Sequence, residues 1–167
     1  MPSRFKFVST AERPFTDDEV RGFHDLIHEP DQEFWDPGGD RLDVETLTAF
    51  FRDVVPSRPG QAVFLAKADD EVAGMAALFT EQQDLGPGDA RLGFGVRASM
   101  QGQGIATRLL ASALKHARAS GLRRVVAEVL PHNLRAIHLL NTTGFAVVTP
   151  MRPAGEPMTH AMFEKRL

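Results

Sequence analysis

The chain has 167 residues, a formal net charge of −3 and no cysteine. That length suits one domain with a real core, the charge offers no basic footprint for nucleic acid, and the lack of thiols excludes disulfides, thiolate metal sites and a cysteine acyl-enzyme. There is no apolar signal region and no run near the ~20 apolar residues of a membrane span, so a soluble, cytoplasmic single domain over residues 1–167 is expected, with neither nucleic acid nor membrane as partner.

Residues 4–9 alternate like a first strand. Thr16-Asp17-Asp18-Glu19 is a capping box opening a helix with Val20, Phe23 and Ile27 on one face. Within it, His24 and His28 share a helix face and differ from a zinc-protease pattern by Asp25 in place of glutamate. Aspartate is one methylene short for that base and no third ligand stands out. An exposed helix edge, with His28 near the favourable C-terminus, accounts for the pair, and no metal is expected. From Glu29 to Glu45 the chain carries Asp31, Glu33, Asp36, Asp40 and Asp43 against Arg41 alone, with Phe34 and Trp35 among them. This is either a solvated loop with helix-start carboxylates or an acidic, aromatic wall for a cation.

Asp43 precedes a second helix with Leu47, Phe50, Phe51 and Val54, stopped before Pro56. Residues 61–67 and 72–80 read as strands joined at Ala68-Asp69-Asp70-Glu71, a hairpin signal. A loop with Gly86-Pro87-Gly88 leads to the strand-like run Leu92-Gly93-Phe94-Gly95-Val96. Next comes Gln101-Gly102-Gln103-Gly104-Ile105-Ala106, then a helix with Ile105, Leu109, Ala113, Leu114 and Ala117 at helical spacing. Gly121 ends it. Residues 123–130 read as a buried strand, Pro131-His132-Asn133 leads to a short helix over 134–142, Gly144-Phe145 follows, and residues 158–166 form a last strand.

The glycine-rich turn carries the chemistry. The first amides of a helix lack intrahelical partners, the helix dipole adds partial positive charge, and glycine lets a ligand approach the backbone. Pyrophosphate is the usual guest. No Gly-Lys-Ser/Thr is present for a nucleotide-triphosphate loop. A dinucleotide fingerprint needs glycine where Thr107 stands, and only 39 residues follow Glu128, too few for the remaining units of such a sheet. A turn with no ligand is the plain alternative.

Two blocks now align with a known pattern. Gln101-x-x-Gly104-x-Ala106 resembles the Gln/Arg-x-x-Gly-x-Gly/Ala pyrophosphate turn of the GNAT superfamily of acyl-CoA-dependent N-acetyltransferases. Asn133-x-x-Ala136-x-x-Leu139 followed by Gly144-Phe145 resembles its second conserved block. The likeness is specific over about residues 89–148. It implies a single-domain α/β (α+β) fold, a twisted mixed sheet flanked by helices and splayed where the strands of Val96 and Glu128 part. It also implies acetyl transfer from acetyl-CoA to a primary amine, on a small molecule or a protein lysine or N-terminus. The lack of cysteine points to direct attack in a ternary complex. Many relatives dimerise, so the resemblance admits a homodimer.

Roles follow residue by residue from that resemblance. Amides of Gln101, Gly102, Gln103, Gly104, Ile105, Ala106 and Thr107 would hold the pyrophosphate. The strand edge at Phe94, Gly95 and Val96 would bind pantetheine and the thioester carbonyl. Asn133 would touch the cofactor, cap its helix, or both. Many members place a thiolate-protonating tyrosine where Leu140 stands, and this chain has no tyrosine. His138, Ser99 and Thr142 are alternative donors, His138 expected on another face from Leu140, and water is a further one. Glu128 is the candidate general base, a charged residue inside an apolar strand whose burial would raise its pKa. Pairing with Arg123 or Arg124 on the sheet face is its structural alternative, and Glu81 and Asp84 are reserves. Asp89 and Arg91 stand where other members carry a base, a poor match. A rival reading is an acyl-CoA sensor or scaffold with little catalysis.

Overall fold

Two apolar strands without alternation, over residues 62–68 and 71–80, lie side by side with both of their faces covered. The computed structural model describes residues 4–29, 42–81, 85–148 and 161–167. Asp31 to Arg41 of the acidic stretch, Asp84 and the Met158 start of the last strand lie outside the described residues. The strands are β1 (Phe5–Ser9), β2 (Ala62–Ala68), β3 (Glu71–Thr80), β4 (Asp89–Val96), β5 (Arg124–Val129), β6 (Ala146–Val148) and β7 (Ala161–Arg166). The helices are α1 (Asp17–Ile27), α2 (Val44–Ala49), α3 (Ile105–Ala119) and α4 (Leu134–Thr142). The strands of the described residues form one seven-stranded sheet in the order β1-β2-β3-β4-β5-β7-β6. Among the described residues only the β4–β5 pairing is parallel.

One face of the sheet packs Ala62, Phe64, Ala76 and Leu78 beneath Ile105, Leu109, Leu110 and Ala113 of α3. The other packs Val63, Leu65, Met75 and Ala77 beneath Val20, Phe23 and Leu26 of α1 and Leu47 of α2. Each fully buried leucine or isoleucine contributes roughly 1.5–3 kcal/mol. Asp69, at φ +53°, turns the β2–β3 hairpin.

The segment after α2 departs from the sequence expectation. The α-helix stops at Ala49, and Phe50–Val54 form a wide π turn in which the Val55 N–H donates to the Phe50 carbonyl. The extra residue shifts the register. Phe51 and Val55 point inward while Val54 is 42% exposed. Phe51 is held edge-on by Phe15 and Phe23, with centroids 5.1 and 5.0 Å away. Pro56 lies within a following 3₁₀ turn rather than beyond the helix end.

The capping box of α1 forms and is extended. Thr16 Oγ1 accepts from the Glu19 N–H at 3.2 Å, and Glu19 Oε1 accepts from the Thr16 N–H at 2.9 Å. The Glu19 side chain is fully buried and also accepts from Arg13 at 2.7 and 2.9 Å and from Lys67 at 3.1 Å. Arg13 chiefly, with Thr16 and Lys67 in support, outweighs burial and lowers its pKa from 4.5 to about 2. A depressed carboxyl stabilises the fold above its unfolded pKa and loses that contribution as pH falls through the folded value. Denaturant titrations should therefore show about 2–3 kcal/mol lost between pH 4.5 and 2. Glu19→Gln is expected to cost about 2 kcal/mol at neutral pH and to flatten that acid limb. An unchanged limb would remove Glu19 as its source.

Candidate active site

The site begins where β4 and β5 separate. Their ladder runs from Asp89–Arg124 to Leu92–Ala127 and ends there, while β4 continues to Val96 and β5 to Val129. The chain between Val96 and α3 is tightly anchored. The Arg97 N–H donates to the Ala73 carbonyl at 2.8 Å. The Arg97 guanidinium donates to the Val72 carbonyl at 3.1 Å and to Glu29 Oε1 at 2.6 Å. Gln101 Nε2 donates to the Val96 carbonyl at 3.2 Å.

The turn itself is built by glycine. Gly102 and Gly104 have φ of +79° and +77°, and a Cβ at either would meet no atom within 4 Å. The space beside both glycines is thus open. Thr16, Asp43 and Asn133 cap α1, α2 and α4 with their side chains, but Gly104 begins α3 with no side-chain cap. The first intrahelical bond here is from the Arg108 N–H to the Gly104 carbonyl at 3.2 Å. The amides of Ile105, Ala106 and Thr107 precede it, and the first turn holds no carboxylate. An anion is the natural complement of such a terminus.

These amides face an open cleft of about 580 Å³. It is lined by Phe94, Gly95, Val96, Gln101, Gly102, Gly104, Ile105, Ala106, Thr107 and Asn133, all singled out from sequence. Gln103 is not on the lining. The two left-handed glycines turn it outward, and its Nε2 donates back to the Met100 carbonyl at 3.4 Å. Met100, Arg135, Ala136, His138, Leu139 and Thr142 complete the wall. Arg135 Nη1 donates to Gln101 Oε1 at 2.7 Å and so bridges α4 to the turn. Asn133 lines the cleft while its Oδ1 accepts from the Ala136 N–H at 3.2 Å, so its capping role is met at the cleft wall. The α4 end is fixed by Gly144 at φ +93°, which lets the Phe145 N–H reach the Leu140 carbonyl at 2.9 Å.

Two expected side chains stand elsewhere. Leu140 is fully buried in the core, whereas His138 and Thr142 face the cleft and Ser99 is exposed off its lining. Glu128 is not part of the cleft lining either. It lies on the opposite face of the sheet, its side chain 37% exposed, with Oε1 3.5 Å from Arg91 Nη2. The burial expected from its apolar strand is absent because α1 and α2 cover β2 and β3, not β5. Its partner is Arg91, not Arg123 or Arg124. Arg124 instead holds Asp89 at 2.7 Å and Glu164 at 3.0 Å, and the guanidinium lowers the pKa of Asp89. Of the reserves, Glu81 pairs with Arg58 at 3.1 Å.

His24 and His28 stack with ring centroids 4.2 Å apart, and His28 Nδ1 lies 2.7 Å from the His24 carbonyl. Among the described residues no three histidine or carboxylate groups come together as a metal site. No helix among them is long and apolar enough to cross a membrane.

A mixed sheet whose parallel strands part, a glycine turn and a helix terminus together form an anion-binding cleft of the kind that coenzyme A-using acyltransferases require. The model of the acetyltransferase (GNAT) family matches residues 20–145, and the chain belongs to that family, whose members use acetyl-CoA as acyl donor. No curated protein matches the chain. An acetyltransferase of the GNAT family from Streptococcus pneumoniae superposes with a TM-score of 0.76 at 21% identity, over 97% of this chain and 100% of that one. The ribosomal-protein-alanine N-acetyltransferase from Brucella melitensis gives 0.76 at 20% identity, over 96% and 99%. A putative acetyltransferase from Salmonella typhimurium, determined with its cofactor acetyl-CoA, gives 0.69 at 20% identity, over 97% and 92%.

Proposed function

We propose that this chain transfers the acetyl group of acetyl-CoA to a primary amine by direct attack in a ternary complex. The observation that carries the reading is the uncapped N-terminus of α3, its amides turned to an open cleft beside the splayed strands. When bound, acetyl-CoA supplies the acetyl group as an activated thioester. The residues present fit it. The amides from Gln101 to Thr107 hold the pyrophosphate, with those of Gln103 and its neighbours acting through the backbone. The β4 edge at Phe94, Gly95 and Val96 holds the pantetheine arm, and Asn133 meets it from α4.

The nucleophile is delivered from the other face, where Glu128 takes the proton that the acceptor ammonium must lose. Position 140 supplies no proton to the thiolate, so that proton comes from His138, Thr142 or solvent at the cleft. The buried Leu140 also favours a second reading, an acyl-CoA sensor or scaffold with little turnover. Incubation with acetyl-CoA and a panel of amines, followed by mass spectrometry and thiol release, separates the two. Stoichiometric acetylation with matching thiol release is expected. Tight acetyl-CoA binding without any acetylation would favour the sensor.

Arg135 adds positive charge beside the turn and fixes Gln101. Arg135→Ala is expected to weaken acetyl-CoA binding about 3–10-fold, more at low salt than at high salt. Equal affinity at both salt concentrations would show that Arg135 only braces α4.

A further inference from the structure

We infer that the acceptor is a free α-amino acid, or an analogue with ammonium and carboxylate on one carbon, bound across Arg91 and Glu128. This rests on the acetyltransferase reading and adds the chemistry of its acceptor. Side chains alternate along a strand. Leu92 and Val96 of β4 face α3, so Arg91, Gly93 and Gly95 face the other side. Arg91 stands opposite Val126 in the parallel ladder, which places Glu128, two residues on, on the same face. The pair therefore sits on the face opposite α3, beside the point where the strands part.

The pair is half open. The two charged groups are 3.5 Å apart, at the long end for an ion pair, with side chains 27% and 37% exposed. Beyond Arg91, Gly93 presents no side chain on this face, so the floor between the pair and the splay is bare backbone. Phe79 stands beside Arg91 in the β3–β4 register and Met162 beside Glu128 in the β5–β7 register, both partly exposed. They give the pair apolar flanks.

Charge selects among amines. A zwitterion can lie antiparallel on the pair, its carboxylate on the Arg91 fork and its ammonium on Glu128, so that each charge meets its opposite. A diamine meets attraction at Glu128 and repulsion at Arg91. A peptide N-terminus has an amide in place of the carboxylate and leaves the guanidinium without an anion from the ligand. In the reaction the acceptor nitrogen bonds to the acetyl carbon as the C–S bond breaks. Of the two protons the ammonium loses, one passes through Glu128 to solvent and one ends on the coenzyme A sulfur. The products are an N-acetyl amino acid, coenzyme A thiol and one released proton.

The test measures thiol release with free amino acids, their methyl esters, short peptides and a diamine, using wild type, Arg91→Gln and Arg91→Lys. Free amino acids are expected to be turned over, with methyl esters at least tenfold higher in KM. Arg91→Gln should raise KM for the free acids tenfold or more, with kcat within threefold. It should leave KM for the esters and the affinity for acetyl-CoA unchanged, and Arg91→Lys should restore part of the loss. Titration of an amino acid into the protein with coenzyme A present should show the same Arg91 dependence without turnover. Esters, peptides or diamines used as well as free acids would overturn the inference, as would an Arg91→Gln defect shared by acid and ester. Acetyl-CoA binding with no amine acetylated would overturn it too. Failure of wild type to bind acetyl-CoA would instead overturn the acetyltransferase reading on which it rests.

Discussion

Glu128→Gln is expected to lower turnover by about 10²–10³-fold, while affinity for acetyl-CoA stays within twofold. Glutamine has nearly the same shape and can still accept a hydrogen bond from Arg91, which stands 3.5 Å away. It cannot take up a proton at neutral pH. Glu128 lies across the sheet from the cleft and is absent from its lining, so the substitution leaves the cleft intact. Single-turnover kinetics with calorimetric titration of acetyl-CoA separates the two quantities. Unchanged turnover would remove Glu128 from proton transfer and leave it as the partner of Arg91. A parallel loss of acetyl-CoA affinity would mean the variant disturbs the splay itself.

Gly104→Val is expected to weaken acetyl-CoA binding by about 100-fold or more, an effect of roughly 2.7 kcal/mol. Two causes add. At φ +77° a β-branched residue is strained, by about 1–2 kcal/mol or more. Its methyls also project into space now open, over amides that an anion must approach closely. Gly104→Ala shares the strain with less bulk and should cost about tenfold. Thermal melts report the strain and calorimetry reports both terms, so the difference isolates the blocking. Equal affinity for wild type and Gly104→Val would show that the turn does not hold the cofactor.

Local signals in the sequence translated directly into structure. Thr16 and Glu19 form their reciprocal cap, Asn133 caps α4, and Gly144 closes that helix onto Phe145. Ten of the eleven residues expected around the cofactor line one cleft, because a strand, a turn and a helix contiguous in sequence stay contiguous in space. What the sequence hid depends on distant partners. The π turn at Phe50–Val54 follows from seating Phe51 between Phe15 and Phe23, which no local periodicity encodes. The exposure of Glu128 depends on which strands α1 and α2 cover. Its pairing with Arg91, 37 positions earlier in the chain, requires the parallel register of β4 and β5. Arg135, His138, Leu139 and Thr142 were within reach of a sequence argument, since their spacing makes one helical stripe. Only the structure shows that this stripe faces the same cleft as the glycine turn.

Calorimetric titration of the unmodified protein with acetyl-CoA, with NAD and ATP titrated alongside, tests the central claim most directly. Saturable one-to-one binding of acetyl-CoA, with no heat from NAD and weaker binding of ATP, is the predicted result. Absence of acetyl-CoA binding, or equal binding of all three, would contradict the assignment of the Gln101–Thr107 turn as a coenzyme A site.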